Sequence, residues 1–304
     1  MKTLKSILVT IVLLLVTATT QAQEKEFPKL TGPYLGQKPP GMIPEIFAPD
    51  LISSTNHSEC CRAISKDGRE IFFVRKLESE EKIFIMKDNG NGWSKPEQIL
   101  YTNKSFQYTP FISPKGDKLI FMAGNSRPGR GKNDSLPEVY LLSRKDKEWE
   151  ISNILGATIG EAQPFYITMA ENGNLYFSCM DRYGIYRSEY RDGNYLKAEK
   201  LPDEINRLNK PSHPYIAPDE SYIMFQSRDV LTNNVDLYIC FLKKDGNWSG
   251  AINMGDKINT SKNEVCPSVS NDGKYMFFGR LIQGEDADIY WVSSKIIEEL
   301  RPKN

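Results

Sequence analysis

The 304-residue chain is predicted to be all-β: a β-propeller of five four-stranded blades closed by its own N-terminal strand, with six blades as the alternative. Three observations predict this. One phrase, a polar turn followed by an aromatic strand, keeps returning, most clearly as SKDGREIFFVR from Ser65, SPKGDKLIFMA from Ser113 and SNDGKYMFFGR from Ser270. The turn glycines Gly68, Gly116, Gly173 and Gly273, with Glu220 in the fourth copy, stand about fifty residues apart, the length of one blade. Each copy also carries further short strands, and an isolated four-stranded sheet has two apolar faces that only radial stacking buries while leaving short edges.

Taken in order, the first residues are an address rather than part of the fold. Lys2 and Lys5 precede the apolar run ILVTIVLLLVTAT, and Thr20 and Ala22 stand at the −3 and −1 positions of a cut after Ala22. Residues 1–22 therefore read as a secretory signal peptide. The run is too short to span a bilayer comfortably and no later stretch is long and apolar enough, so membrane insertion is not expected. Residues 23–40, rich in Pro, Gly and Lys, form a lead-in segment. The propeller occupies 41–294, and 295–304 is a short amphipathic tail.

Within the propeller, five segments beginning at Ser58, Phe106, Gly160, Lys210 and Asn263 align on a proline or its substitute, and the third has a longer turn in this alignment. Third strands follow as KIFIMK, EVYLLS, GIYRSE, DLYICF and DIYWVS. Four of them lead through the turns DNGNG, KDK, RDGN and KDGN, which are hairpin chemistry, into WSKPEQI, WEISNIL, YLKAEKL or WSGAINM. The fifth copy stops after its third strand. Its missing fourth strand is GMIPEIFAPDLI at 41–52, whose Pro44 aligns with Pro96.

SPKGDKLIF resembles the PD40 repeat, the WD40-like unit of TolB-like propellers, and INTSKNEVCPSVSNDGKYMFFGR is similar to repeats of exported envelope proteins. The resemblance covers roughly 41–294. It implies the propeller fold and a periplasmic or secreted address, and no particular activity, because propellers host many.

Composition and motifs exclude more than they assign. With 39 basic and 39 acidic residues, the chain has no general electrostatic attraction to nucleic acid or an anionic membrane. GxSxG, HExxH and phosphate-loop motifs are absent, and so are CxxC pairs among the five cysteines. No cofactor and no metal are expected.

Position within the repeat is the better guide to a site. Three residues before the aligned proline stand Glu59, Gln107, Glu161, Pro211 and Glu264; one before it stand Cys61, Thr109, Gln163, His213 and Cys266. Residues two apart on a strand share a face, so both sets are expected to ring one mouth of the central channel. Loops at the same mouth carry Arg75, Arg127, Arg130, Arg182, Arg228 and Arg280, for which Glu138, Asp236 and Asp288 are the expected intrablade partners. Trp93, Trp149 and Trp248 recur at one place in the blade and are expected to pack between sheets.

The principal expectation is a non-enzymatic, exported propeller that binds or scaffolds an envelope protein or glycan through this face. Its contacts would be Arg127, Arg130 and Lys132 of the long basic loop, with Gln107, Gln163 and His213. The alternative is a carbohydrate-active hydrolase or lyase using Glu59, Glu161 or Glu264. A disulfide joining Cys266 to Cys61 or Cys60 across the closure seam is a further expectation.

Overall fold

A computed structural model describes residues 27–53, 59–77, 80–125, 137–146, 148–155, 163–179, 182–281 and 287–303, with the backbone alone for 59–61 and 153–154. The chain begins its sheets with β1 (Glu45–Ile46). A first antiparallel unit contains β2 (Glu59–Ile64), β3 (Glu70–Leu77), β4 (Glu80–Lys87) and β5 (Glu97–Gln98). A second contains β6 (Phe106–Ile112), β7 (Lys118–Gly124), β8 (Glu138–Lys145) and β9 (Glu148–Ile154), joined to the first by one parallel pair, Glu81 with Phe106. The third runs β10 (Pro164–Met169), β11 (Leu175–Cys179) and β12 (Ile185–Ser188), passes through the small hairpin β13 (Tyr190–Arg191) and β14 (Asn194–Tyr195), and ends in β15 (Glu199–Lys200). The fourth, after the single-turn helix α1 (Asp203–Asn206), is β16 (Ser212–Ile216), β17 (Tyr222–Arg228), β18 (Val235–Phe241) and β19 (Ile252–Asn253). The fifth is β20 (Asn263–Val269), β21 (Tyr275–Leu281) and β22 (Ala287–Ser293), and its outer strand is β1, with Glu45 opposite Trp291 and Ile46 opposite Tyr290. The N-terminal strand thus completes the last blade, as the sequence predicts.

Packing shows why the units form a ring. The innermost strands meet in cyclic order: β2 with β6, β6 with β10, β10 with β16, β16 with β20, and β20 with β2. The apolar core is correspondingly divided into five clusters, one between each neighbouring pair of sheets. Phe73, Phe121, Phe177, Phe225 and Phe278 occupy the same place on the second strand of successive blades, and all are 0 % exposed. Each such ring contributes roughly 1.5–3 kcal/mol of burial. Trp93, Trp149 and Trp248 are buried between sheets as well. The lead-in segment docks on the seam: Leu30 and Gly32 carbonyls accept from the backbone N–H and indole N–H of Trp93, and the Tyr34 N–H donates to Gly68 O. The tail forms α2 (Lys295–Glu299), which seats Ile296 and Ile297 between the fourth and fifth blades. Among the described residues no helix is long and apolar enough to cross a membrane.

The recurring phrase is a turn device. In the first, second and fifth blades a serine hydroxyl donates to an aspartate two or four residues on (Ser65 to Asp67, Ser113 to Asp117, Ser270 to Asp272) and accepts a backbone N–H from the start of the second strand. The glycine inside the turn has φ of +66°, +74° or +75°, a region other residues enter at a cost. The fourth blade puts Glu220 there at φ +59°. Its carboxylate reaches the third blade and accepts from Asn172, Asn174 and the Tyr176 hydroxyl at 3.0, 2.8 and 2.7 Å, so the departure from the repeat is an interblade clamp.

The third blade corrects the sequence alignment. Its turn closes from Ala170 N–H to Asn174 O, one residue shorter than the Ser113-to-Lys118 closure of the second blade, where a longer turn is expected. Every inner strand carries a bulge, and the residues at φ +51° to +55° beside it are Thr109, Tyr166, His213 and Cys266. Tyr166, and not Gln163, is therefore the equivalent of His213. Ile167 stands where the second, fourth and fifth blades have Pro110, Pro214 and Pro267 and the first has Arg62, and anchoring on Pro164 slips the register by three.

Candidate functional site

The central channel is narrow. A cavity of about 50 Å³ along it is walled by the bulge residues Thr109, Tyr166, His213 and Cys266 with Arg62 across from them. Arg62 fills the lumen: Nη1 donates to Cys266 O at 3.2 Å, Nη2 to Ser268 Oγ at 3.1 Å, and the guanidinium lies 5.1 Å from the Phe277 ring centre. At the opposite end Asn271 Nδ2 bridges to Ser113 O at 3.0 Å. A space of this size suits a water or two, not a sugar.

The predicted mouth residues separate into three groups. Gln107 and Glu264 are 0 % exposed and turned into blade seams. Gln107 Oε1 accepts the Ile83 N–H at 3.0 Å, tying the second blade to the first. Glu264 accepts from Arg280 Nε at 2.9 Å and from Thr260 Oγ1 and N at 2.7 and 3.2 Å. Gln163 is half-buried ahead of β10. A second group lies outside the described residues: Glu161, Arg127, Arg130 and Lys132, together with the side chains of Glu59, Cys60 and Cys61, and hence the expected bridge to Cys266. His213 alone stands in the wall of both the channel and an open cavity above it. Its Nδ1 is 3.0 Å from Ser212 Oγ, its N–H donates to Ser178 Oγ of the third blade, and its ring packs on Phe165 and Tyr166. Loss of hydration there holds its pKa down to about 3.

The intrablade ion pairs are partly different from those expected. Arg280 is the partner of Glu264 and stacks 4.4 Å from the Tyr290 ring centre. Arg228 does not meet Asp236, because β17 and β18 pair Ser227 with Asp236 and Arg228 with Val235. Arg228 Nη1 donates instead to Asn233 O, and Asp236 accepts from Asn253. Burial raises the Asp236 carboxyl above its usual range, Asn253 opposes this, and Glu264 and Asp229 add to it. Glu138 pairs with Lys104 of the same blade and accepts from the Tyr140 hydroxyl.

The open cavity is the feature the sequence does not announce. It holds about 310 Å³ at the mouth between the third and fourth blades. Its floor is His213 with Phe165, its walls carry Ser178, Ser212, Gln226 and Ser227, and its rim carries Tyr183, Lys210 and Arg228. Tyr183 is 67 % exposed. These residues come from the ends of β11 and β17, the start of β16 and the loops between, the positions where a rigid propeller presents variable side chains.

A β-propeller of four-stranded blades with a cavity at one mouth is therefore the class of protein that fold and site define. No family profile matches the chain, and no curated protein matches it. Among solved structures, it is similar to a putative glycoside hydrolase from Bacteroides ovatus (10 % identity, 88 % of this chain and 99 % of that one, TM-score 0.51). It is similar also to the catalytic domain of a GH62 α-L-arabinofuranosidase from Coprinopsis cinerea (9 % identity, 84 % and 97 %, TM-score 0.50). TolB from Acinetobacter baumannii matches with 14 % identity over 79 % of this chain at TM-score 0.47, and the chain spans 55 % of its length. At these identities the likeness is one of fold. It corrects the expectation of a non-enzymatic binding propeller: two solved structures matched along nearly their whole length are a putative glycoside hydrolase and the catalytic domain of an α-L-arabinofuranosidase.

Proposed function

We propose that the chain is a carbohydrate-active hydrolase or lyase that takes one end of a glycan into the mouth cavity between the third and fourth blades. The cavity carries the reading. A volume of about 310 Å³ accommodates a sugar ring or two, Tyr183 offers an exposed aromatic face for stacking, and Ser178, Ser212, Gln226 and Ser227 supply hydroxyl and amide groups for sugar hydroxyls. The fold shared with glycoside hydrolases supports it. Hydrolysis needs one carboxyl to protonate the leaving oxygen and a second to activate water or attack the anomeric carbon. Glu264 is committed to Arg280 and Thr260. Glu59 and Glu161 remain the acids of choice, whereas Asp236, next to the cavity-lining Val235 on β18, faces the other side of the strand and accepts from Asn253.

The test is incubation of the mature chain, from residue 23, with a panel of oligosaccharides and separation of the products. Turnover of at least one member is expected, with losses of 10²-fold or more in Glu59→Gln or Glu161→Gln. A folded protein that neither binds nor turns over any glycan refutes the reading. We further propose that the blades are PD40-type repeats, supported by the shared serine–aspartate turn, and that the protein is exported. Recovery from the cell envelope of a chain starting at Gln23 is the expected result, and recovery of an uncut cytoplasmic chain refutes export.

A further inference from the structure

The rim of the mouth cavity has a charge pattern that the carbohydrate reading alone does not require. Among the described residues Lys210 and Arg228 both line it, and no described Asp or Glu does. Among the described residues several mouth and turn cations are ion-paired: Arg280 with Glu264, Arg144 with Glu70, Arg69 with Asp88, Lys104 with Glu138. Among the described residues neither Lys210 nor Arg228 has a carboxylate within 4.0 Å, whereas Arg280 and Lys104 do. Each is nevertheless held in place. Lys210 Nζ sits 5.0 Å from the centre of the Tyr183 ring, which fixes an ammonium over an aromatic face at the rim. Arg228 Nη1 donates to Asn233 O at 2.6 Å and is 3.3 Å from Asn233 Oδ1. Two oxygens of a neutral residue thus anchor one edge of the guanidinium without neutralising it.

The backbone adds a second observation. Lys210 stands at φ +56° and Asn233 at φ +61°, conformations that side-chain-bearing residues adopt at a cost. Lys210, which places one of the charges, is therefore strained, whereas Asn233, the anchor of Arg228, belongs to a residue type that enters this region readily. Such strain persists where surrounding structure holds it and clusters at ligand clamps. Asp229, the acid adjacent to Arg228 in sequence, is turned away: its carboxylate accepts from the Leu231 and Thr232 N–H groups and the Thr232 hydroxyl. In a chain of zero net charge, two uncompensated cations in one concavity focus a local positive potential.

We infer that the mouth cavity selects an anionic sugar, with Lys210 and Arg228 gripping its carboxylate or sulfate while the ring stacks at Tyr183. The free edge of the Arg228 guanidinium supplies the planar fork that such oxyanions accept, and Lys210 supplies a point charge. The inference rests on the carbohydrate reading and adds the substrate class to it.

Titration calorimetry of the mature chain tests this with three matched probes: an oligouronate, the same oligosaccharide after reduction of its carboxyl groups to alcohols, and a sulfated neutral oligosaccharide. The expected result is binding of at least one anionic probe ten-fold or more tighter than the carboxyl-reduced one, and weaker binding as salt rises. The oligouronate and sulfated arms tell carboxylate from sulfate. Lys210→Gln and Arg228→Gln are each expected to lower anionic affinity five-fold or more and to leave affinity for the reduced probe unchanged. The reduced probe also reports that each variant is folded. Equal binding of charged and reduced probes, or retention of anionic affinity in both variants, overturns the inference while the carbohydrate reading stands. Absence of binding to all three, together with no turnover across the wider panel, overturns both.

Discussion

Glu264 offers a direct test of whether the mouth acids build the ring or perform chemistry. It is 0 % exposed, and both oxygens are occupied by Arg280 Nε, Thr260 Oγ1 and Thr260 N. The Arg280 side chain is only 15 % exposed, so Glu264→Ala leaves a largely buried guanidinium with one remaining hydrogen bond, to Ile258 O at 3.0 Å, and its stacking on Phe278 and Tyr290. Removing one partner of a buried pair costs about 3–5 kcal/mol. For a chain of this size, at about 2 °C per kcal/mol, the midpoint of thermal unfolding is expected to fall by roughly 6–10 °C. Glu264→Gln keeps the shape and an acceptor oxygen, so its loss is about 1.5–3 kcal/mol, the worth of hydrogen bonds to a charged group. The double variant Glu264→Ala/Arg280→Ala should lose less than the sum of the two single changes, because the stranded charge is gone. Differential scanning calorimetry of the four proteins reads all of this. A Glu264→Gln protein with an unchanged midpoint but abolished glycan turnover would refute the reasoning and return Glu264 to the chemistry.

Two further outcomes are expected. His213 has a folded pKa near 3, below the 6.5 of the unfolded chain, so between those values the unfolded state binds more protons and stability rises with pH. Lowering pH from 6.5 to 5 should cost up to about 2 kcal/mol through this residue, at 1.36 kcal/mol per unit; urea midpoints of the parent should fall across that window and those of His213→Phe should stay flatter, and parallel slopes contradict the assignment. At the interblade clamp, Glu220→Ala keeps the positive φ and loses three hydrogen bonds to the third blade, for about 2–4 kcal/mol, whereas Glu220→Gly recovers about 1–2 kcal/mol of that by relieving the backbone. Equal urea midpoints for the two variants contradict the strain.

What the sequence reveals about this fold lies where one residue type has one physical job. Serine, aspartate and glycine of the recurring turn are spaced by the geometry of a single tight connection, and the phenylalanine that follows always meets the same gap between sheets. The missing outer strand of the fifth blade was legible for the same reason, since an unpaired edge has to be satisfied somewhere. The third blade misled because Pro164 looks like the anchor of its neighbours, while the feature that aligns the blades is the bulge, which Tyr166 occupies without a sequence signature. Arg228 and Asp236 illustrate another limit: proximity along a hairpin does not give register, and an offset of one residue turns two side chains to opposite faces. His213 and Arg228 were placed at the mouth from the sequence, but the cavity they share with Ser178, Tyr183 and Lys210 was beyond reach because these residues converge from separate segments.

The pairing of β1 with β22 also sets an order of events. Glu45 and Trp291 lie at opposite ends of the propeller sequence, yet they are neighbours in one sheet. A ribosome makes the first of these strands long before the second, so β1 waits unpaired through the synthesis of four entire blades. The cluster holding Phe47, Ile52, Phe277 and Trp291 can assemble only when the last blade arrives. Contacts of such long sequence separation make folding slow. The nascent chain therefore carries an open edge and an exposed aromatic surface until its final strands are made, and the ring becomes resistant to fraying from either end in the same step that completes it.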